Sequence, residues 1–298
     1  MKNLIKKITK KLYQKIYILY IRYIKNYIRI SSYPYVSGDT FRKYSQHVLD
    51  ETSDLKVKDV KKGDIVFVKT DYLESFFKEL MPKINTNFKL ITHNSDINID
   101  FEMKEFIKNK NIEWYAQNLD FVTNSEEKIF PLPIGLENKN YFNNGILSHF
   151  KVKEIEKVSK IMCSFNLNTN KERIKVLNAI KDSENIYFLR FSNHKNYIRE
   201  LSKCKFNICP EGNGLDTHRF WESLIVKTIP IVLQSNFIEN FKKFEIPMLC
   251  LDSWQDLNEM NEVQLDEFYY SNKSKLYKNN FVKFDFWMNQ IKNNKSIS

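Results

Sequence analysis

The chain has 298 residues, of which 42% are hydrophobic and 14% aromatic, so it is not a disordered chain and can hold one large domain or two smaller ones. Nine of its Lys and Arg residues lie within residues 1–30, which contain no acid, and the rest of the chain keeps only +2 of the net charge of +11. This distribution argues against nucleic-acid binding through a basic face of the main body.

Residues 1–30 have the pattern of a basic amphipathic helix. Ile8, Leu12, Ile16 and Leu19 recur at steps of three and four residues, and Lys and Arg fill the opposite face. The longest uncharged run, residues 16–21, is far shorter than the roughly 20 apolar residues that cross a bilayer. The pattern favours an anionic membrane surface as partner, with a helix packed on the body as the alternative. We therefore expect a cytoplasmic protein that is peripheral at the membrane.

Strands and helices alternate through residues 31–145, which we predict to form the first domain. A polar loop at 37–42 follows an extended segment at 33–36 and precedes a helical stretch through Leu49. Strands are predicted at 64–70 and 88–93, with shorter apolar pieces at 112–115, 120–123 and 128–136, and helices at 72–81 and 101–108. This alternation predicts a parallel sheet covered by helices. The polar region 139–154 is the predicted linker.

The same scheme repeats in a second predicted domain at residues 155–298. Strands are predicted at 160–166, 186–191, 206–209, 229–233 and 248–251, and helices at 171–181, 197–205, 215–227 and 237–244. A last helix around Trp287 is expected to pack back across both halves. The predicted fold class is α/β, with two Rossmann-like doubly wound domains that face a cleft and a basic amphipathic helix at the N-terminus. Ligands of such sheets bind at the carboxyl ends of the strands.

The segment 207–232, NICPEGNGLDTHRFWESLIVKTIPIV, carries the strongest functional signal. A short strand leads into a loop with Gly212 and Gly214, and a helix follows. Unpaired N–H groups at the start of a helix, together with the helix dipole, favour an anion, and Arg219 adds a guanidinium fork for phosphate oxygens. The alternative is an ordinary strand–turn–helix in which Asp216 and Thr217 cap the helix and Arg219 is solvated.

This segment resembles the donor-binding segment of exostosin-like glycosyltransferases and, more distantly, that of fucosyltransferases and other two-Rossmann-domain (GT-B) enzymes. That family usually has a basic residue after the proline of the strand, where this chain has Glu211. The resemblance implies that Arg219 contacts the diphosphate of a nucleotide sugar and that Glu222 or Glu211 reaches ribose or sugar hydroxyls. The residues expected to bind the donor are Glu211, Gly212, Asn213, Gly214, Asp216, Thr217, His218, Arg219 and Glu222.

An inverting sugar transfer also needs a general base, which we expect in the first half. Asp39 lies in the first strand–helix loop, where the alternative role is a helix N-cap. Asp96 and His93 lie in the polar run that ends the strand at 88–93, where Asn94 and Ser95 are expected to position hydroxyls. Such a run is costly unless it meets a ligand or caps a helix. Glu137 is a weaker candidate.

The chain contains no Asp-x-Asp pair, no P-loop, no Gly-x-Gly-x-x-Gly fingerprint, no zinc signature and no serine-nucleophile elbow. The sequence therefore predicts a metal-independent, inverting glycosyltransferase without a cofactor. It would move a sugar from a nucleotide-diphosphate sugar to a glycan or a lipid-linked acceptor. A pyruvyl or phosphosugar transferase on the same scaffold and a non-catalytic membrane-associated scaffold are the alternatives.

Overall fold

The computed structural model describes residues 29–108, 112–124, 126–139, 144–278 and 280–293. They form an α/β fold with two parallel sheets of five strands, one in each half of the chain. The predicted amphipathic helix, apart from Arg29 and Ile30, and residues 140–143 of the predicted linker lie outside the described residues. None of the described helices is long and apolar enough to span a membrane.

The first sheet has its strands in chain order. They are β1 (His47–Leu49), β2 (Ile65–Lys69), β3 (Lys89–His93), β4 (Glu113–Ala116) and β5 (Ile129–Pro131), and all neighbours are parallel. Right-handed crossovers between strands in consecutive order all fall on the same face of a sheet. Accordingly, Val66, Leu90 and Trp114 pack with Phe76 and Phe77 from the connecting segments. The prediction of a doubly wound sheet is therefore wrong for this half.

Other local predictions for this half also need correction. The helical stretch predicted through Leu49 is instead α1 (Gly38–Lys43) followed by the short strand β1, and residues 120–123 form no strand. The helix predicted at 72–81 is α2 (Leu73–Ser75), a π-helical turn (Phe76–Leu80) and a 3₁₀ turn (Met81–Lys83). The helix predicted at 101–108 is a 3₁₀ helix (Phe101–Phe106). Within this irregular segment, Phe76 and Phe77 are both buried against the sheet.

The second sheet confirms the doubly wound prediction. Its strands β6 (Val158–Cys163), β7 (Ile186–Phe188), β8 (Cys204–Ile208), β9 (Ile229–Leu233) and β10 (Leu249–Leu251) lie in the order β7-β6-β8-β9-β10. The helices are α3 (Glu172–Ile180), α4 (His194–Leu201), α5 (His218–Ile225) and α6 (Asn236–Lys242). The strand order reverses between β6 and β8, and this switch point opens a crevice at the carboxyl ends of the strands.

The C-terminal region joins the two halves. Two helices, α7 (Glu262–Lys278) and α8 (Phe284–Asn293), follow the second sheet, and α7 was not predicted. In α8, the ring of Phe284 lies 5.5 Å from that of Phe41 in the first half, and the ring of Trp287 lies 4.8 Å from that of Phe244 in the second. The expected packing of the last helix across both halves is thus confirmed, and α8 covers the face of the first sheet that the crossovers leave open.

Candidate functional site

The loops at the carboxyl ends of both sheets surround a cleft of about 1180 Å³. The first half contributes segments that follow β3, β4 and β5, and the second half contributes segments that follow β6, β7 and β8. The cleft brings together most residues predicted for the site, namely His93, Asn94, Ser95, Asp96, Gly212, Asn213, Gly214, Asp216, Thr217, His218, Arg219 and Glu222. Asp39 and Glu211 do not line it.

The N-terminus of α5 opens into this cleft without a side-chain cap. Its N-cap residue, Thr217, makes no capping hydrogen bond through its side chain. Among the described residues, the backbone N–H groups of His218 and Arg219 have no hydrogen-bond partner. The Arg219 side chain donates from Nε to the carbonyl of Ser164 at 3.0 Å, and its terminal nitrogens have no partner in the described parts of the chain. These donors are therefore available to an anion.

A second arginine, which the sequence analysis did not single out, lies beside Arg219. Arg173 on α3 is only 4% exposed and donates to the backbone carbonyls of Glu211 at 2.8 Å and Asn166 at 2.9 Å. Both guanidinium groups approach the ring of Phe165, at 5.7 Å for Arg173 and 6.0 Å for Arg219. Burial, and then the charge of Arg219, lower the pKa of Arg173 to about 10, so it stays charged at neutral pH.

Neither arginine forms a salt bridge with a carboxylate of the described residues. Two guanidinium groups that share one aromatic ring repel each other, and this repulsion adds to the effect of burial in lowering the pKa of Arg173. An anion in the cleft would relieve that repulsion and satisfy the terminal nitrogens of Arg219. The sequence signal for Arg173 was its place in the first turn of a helix that directly follows a strand and a polar loop, 164–171.

The glycines of the loop 209–217, between β8 and α5, act differently from what the sequence suggested. The N–H of Gly212 donates to the carbonyl of Gly214 at 3.1 Å, so this amide is used within the loop and does not point at a ligand. At Gly214, an added Cβ would lie 2.6 Å from Nδ2 of Asn118 and 3.2 Å from the carbonyl of Asp96. This glycine thus lets the loop approach the first half closely. Glu211 is exposed.

Asp216 and His218 connect the end of the loop 209–217 and the start of α5 to the first half. The Asp216 carboxylate accepts the N–H of Ile134 at 2.7 Å and Nε1–H of Trp221 at 2.9 Å, and the Asp216 N–H donates to Asn118 at 3.0 Å. His218 donates from Nδ1 to the carbonyl of Gly135 at 2.8 Å. Burial raises the pKa of Asp216 to about 7. The oxygens of Asp216 are therefore used by the protein itself, whereas Nε2 of His218 is not.

The three predicted bases occupy different environments. His93 donates from Nε2 to the carbonyl of Pro133 at 3.0 Å, while its Nδ1 accepts the N–H of Asn94 at 2.7 Å. Burial lowers its pKa to about 4, so the ring is neutral with both nitrogens occupied. This arrangement leaves His93 no lone pair for a substrate proton.

Asp39 has a fully buried side chain in the first turn of α1. Its carboxylate accepts Nδ2–H of Asn94 at 3.2 Å and pairs with Arg29 at 3.4 Å, and burial raises its pKa. The N-cap of α1 is Ser37, so the alternative role of Asp39 as an N-cap is wrong. Because Asn94 lines the cleft and Asp39 does not, Asn94 separates this carboxylate from a ligand.

Asp96, in contrast, is exposed and lines the cleft. It also borders a smaller cavity of about 410 Å³ together with Asn94, Ser95, Lys69 and Asp71. The carboxylate of Glu137, the weaker candidate, accepts the N–H and Nδ2–H of Asn144 at 3.0 and 3.2 Å. Glu137 also lines the cleft, but both of its oxygens are used by Asn144, whereas Asp96 is exposed there. No group of three or more His, Cys, Asp or Glu residues that could hold a metal ion occurs within the described ranges.

No protein-family model matches the chain, and no curated protein matches it. Among solved structures, it is similar to an α,α-trehalose-phosphate synthase (UDP-forming) from Burkholderia vietnamiensis, with 8% identity over 80% of this chain and 76% of that chain and a TM-score of 0.44. A structure described as trehalose-6-phosphate from E. coli bound with UDP-2-fluoro glucose gives 10% identity, coverages of 78% and 74% and a TM-score of 0.47. The pneumococcal O-GlcNAc transferase GtfA in complex with UDP and GlcNAc gives 12% identity, coverages of 80% and 55% and a TM-score of 0.34. Similarities of this size do not indicate what the chain binds.

Proposed function

We propose that this chain is a glycosyltransferase of the exostosin-like, GT-B type that moves a sugar from a nucleotide-diphosphate sugar to a glycan or a lipid-linked acceptor. The observation that carries the proposal is a pair of arginines without a salt-bridge partner among the described residues: Arg219 in the first turn of α5, whose N-terminus is uncapped, and Arg173 of α3, which shares the ring of Phe165 with it. A diphosphate matches this arrangement, because its oxygens accept hydrogen bonds from guanidinium forks and from N–H groups at the start of a helix.

The cleft has room for such a substrate. Pockets for drug-sized ligands measure about 300–1,000 Å³, and the cleft, at about 1180 Å³, is larger than this. The donor would lie on the second half with its diphosphate at Arg219. The acceptor would enter from the first half, past Asp96.

The reaction we propose inverts the configuration of the transferred sugar. An acceptor hydroxyl attacks the anomeric carbon while the bond from this carbon to the diphosphate oxygen breaks. Asp96 takes the proton of the attacking hydroxyl, and Arg173 and Arg219 stabilise the negative charge on the departing diphosphate. Since the two arginines supply this positive charge, we expect the transfer to need neither a metal ion nor a cofactor.

The position of the acceptor motivates the second part of the proposal. We infer that residues 1–30 hold the enzyme at an anionic cytoplasmic membrane surface, because their nine cations and apolar face match such a surface. A lipid-linked acceptor would be presented at the same surface. A non-catalytic scaffold is less well supported, because Asp96 faces the cleft.

A panel of ligands tests the proposal. UDP, GDP, CDP and their sugar conjugates should include at least one that raises the melting temperature, since a ligand at 100 times its Kd stabilises a fold by about 2.7 kcal/mol. The matching nucleoside without phosphates should have little effect. If no nucleotide or sugar nucleotide shifts the melting temperature, the proposal fails. Once the active donor is known, NMR of the product shows whether the anomeric configuration of the sugar is inverted or retained. Turnover in the presence of EDTA tests whether the transfer needs a metal ion.

A further inference from the structure

Three side chains form a hydrogen-bonded chain that leads from the cleft to the segment connecting the two halves. Glu222 on α5 accepts a hydrogen bond at Oε1 from Nε2 of His194 on α4, at 2.8 Å. Nδ1 of His194 lies 3.0 Å from Nδ1 of His149, in the 3₁₀ turn Leu147–Phe150. The side chains of His194 and Glu222 are only 5% and 7% exposed. We refer to these three residues as the histidine relay.

The protons of the relay follow from its geometry. A carboxylate only accepts hydrogen bonds, so Nε2 of His194 must carry a proton. A single proton can lie between the two Nδ1 atoms, and it belongs either to His149 or to His194. Because both Nδ1 atoms cannot be protonated while they face each other, the relay is intact only when the two rings together hold at most one extra proton.

The surroundings keep Glu222 ionised and His194 in place. Burial alone would raise the pKa of Glu222, but the hydrogen bond from His194 and the charges of His218 and Arg219 outweigh it and hold the pKa below its ordinary value. Burial lowers the pKa of His149, and the neighbouring His194 and Lys195 add to that effect. Phe150 and Tyr197 pack against the His194 ring with centroid distances of 5.6 and 5.8 Å.

One oxygen of Glu222 remains for a ligand. Among the described residues, Oε2 has no hydrogen-bond partner, and Glu222 lines the cleft. Glu222 lies three residues after Arg219, so both project from the same face of α5 about one turn apart. A group joined directly to a diphosphate at Arg219 would therefore reach Glu222. In the proposed reaction the transferred sugar faces Asp96 in the first half, which leaves the ribose for Glu222.

We infer that His194 is a positioning residue for Glu222, and that His149 sets the tautomer of His194. His194 fixes the carboxylate so that Oε2 is aimed at a ribose hydroxyl, while the diphosphate is left to the arginines. This inference rests on the proposed function and extends it, since it assigns two residues that do not touch the substrate. Their separations in the chain, 28 and 45 residues, hide the relay from sequence analysis.

Two ligands distinguish a loss of binding at the histidine relay from a loss of binding at the arginines. UDP, GDP or CDP, whichever binds the wild-type chain, contains the ribose, whereas inorganic pyrophosphate contains only the diphosphate. In calorimetry, His194→Ala should weaken the nucleoside diphosphate about tenfold, as expected for one hydrogen bond to a charged group, and leave pyrophosphate unchanged. His194→Gln keeps an N–H donor and should restore most of the affinity. Arg199→Ala, which changes an exposed side chain of the same helix, is the matched control.

The pH dependence provides a readout that a merely structural role would not change. In the wild type, the affinity for the nucleoside diphosphate relative to pyrophosphate should fall at acidic pH, once the two rings together take up a second extra proton and the contact between their Nδ1 atoms is lost. In His194→Gln this fall should be smaller, because the pair of histidines that takes up the second extra proton is no longer present. An unchanged nucleoside diphosphate affinity in folded His194→Ala, or an equal loss for both ligands, would overturn the inference. If the wild type binds neither ligand, the proposed function itself fails.

Discussion

Replacing Arg219 by alanine is the most direct test of the diphosphate site. Of its guanidinium nitrogens, Nε is used by the carbonyl of Ser164, and the terminal nitrogens have no partner in the described residues. A hydrogen bond to a charged group contributes about 1.5–3 kcal/mol. The loss of Arg219 should therefore weaken the binding of a nucleoside diphosphate by about 1.5–3 kcal/mol, or roughly tenfold to 150-fold.

Two features of the structure place the expected value in the lower part of this range. Arg173 remains in Arg219→Ala and still contacts Phe165, so the site keeps one cation. Removing Arg219 also ends its repulsion of Arg173, which contributes to the lowered pKa of that residue. Arg219→Lys should lie between alanine and the wild type, because lysine keeps the charge but not the planar fork.

The assay is calorimetry with the nucleoside diphosphate that stabilises the wild type, at two salt concentrations. Arg199→Ala is a matched control, since it removes the same charge from α4, where the Arg199 side chain is 65% exposed and pairs with Glu200. Arg199→Ala should bind like the wild type. Unchanged affinity in a folded Arg219→Ala, or an equal loss in Arg199→Ala, would refute a local contact between Arg219 and the diphosphate.

Three further predictions concern the base, the basic segment and Asp216. Asp96→Asn should keep the fold and lose turnover by about 10²-fold or more, while Asp39→Asn should keep turnover; the reverse result in a kinetic assay would make Asp39 the base. Deleting residues 1–28, which spares the ion pair between Arg29 and Asp39, should abolish sedimentation with anionic vesicles but not diphosphate binding, and unfolding of the truncated chain would favour the packed-helix alternative. Burial raises the pKa of Asp216 to about 7, against about 3.9 in an unfolded chain, so the free energy of unfolding should fall as pH rises from about 4 to 7. In urea titrations Asp216→Asn should flatten that decline. The same decline in wild type and variant would contradict the prediction.

The second half could be predicted from the sequence almost element by element. Its strands are short apolar runs such as Ile229–Leu233, bounded by polar residues, and its helices have a clear apolar face. Local propensity and tertiary packing agree there, which is the condition under which pattern-based prediction works. The 17-residue helix α7 was missed because it buries little: only Leu265, Tyr269 and Leu276 are buried, and exposed residues dominate its sequence.

The first half was harder to predict because its connecting segments are not regular helices. A π-helical turn and 3₁₀ turns cover one face of the sheet, and their side chains do not follow a period of 3.6 residues. The strand β1 has only three residues. In the apolar piece at 120–123, Phe121 and Thr123 are buried, and both contact α6 of the other half: Asn240 accepts the N–H of Thr123 at 3.0 Å and donates to the carbonyl of Phe121 at 2.7 Å. These two residues therefore belong to an interface between the halves and not to a strand.

Most residues that were predicted for the site do line the cleft, but the sequence did not predict which partners their side chains contact. Arg219 and Glu222 lie in the cleft as the donor-loop motif suggested. Asp216 was expected to contact the donor, yet its carboxylate is held by Ile134, which lies 82 positions away. A polar residue in such a loop has the same local sequence whether it binds a ligand or the other half of the protein. Only the tertiary partners distinguish the two, and the same holds for His194.

The loop that carries the proposed donor residues is also part of the interface between the two halves. Asp216 and His218 bind the backbone of Ile134 and Gly135, and Gly214 lies against Asp96. If the first half shifted, the start of α5, which carries Arg219, would therefore shift with it. The distance across the cleft between Asp96, the proposed base, and the arginine would then stay fixed. In a reaction that removes a proton on one side while charge develops on the other, a misplacement of about 1 Å costs on the order of 10² in rate, so the polar contacts between the halves contribute to the proposed catalysis as well as to stability.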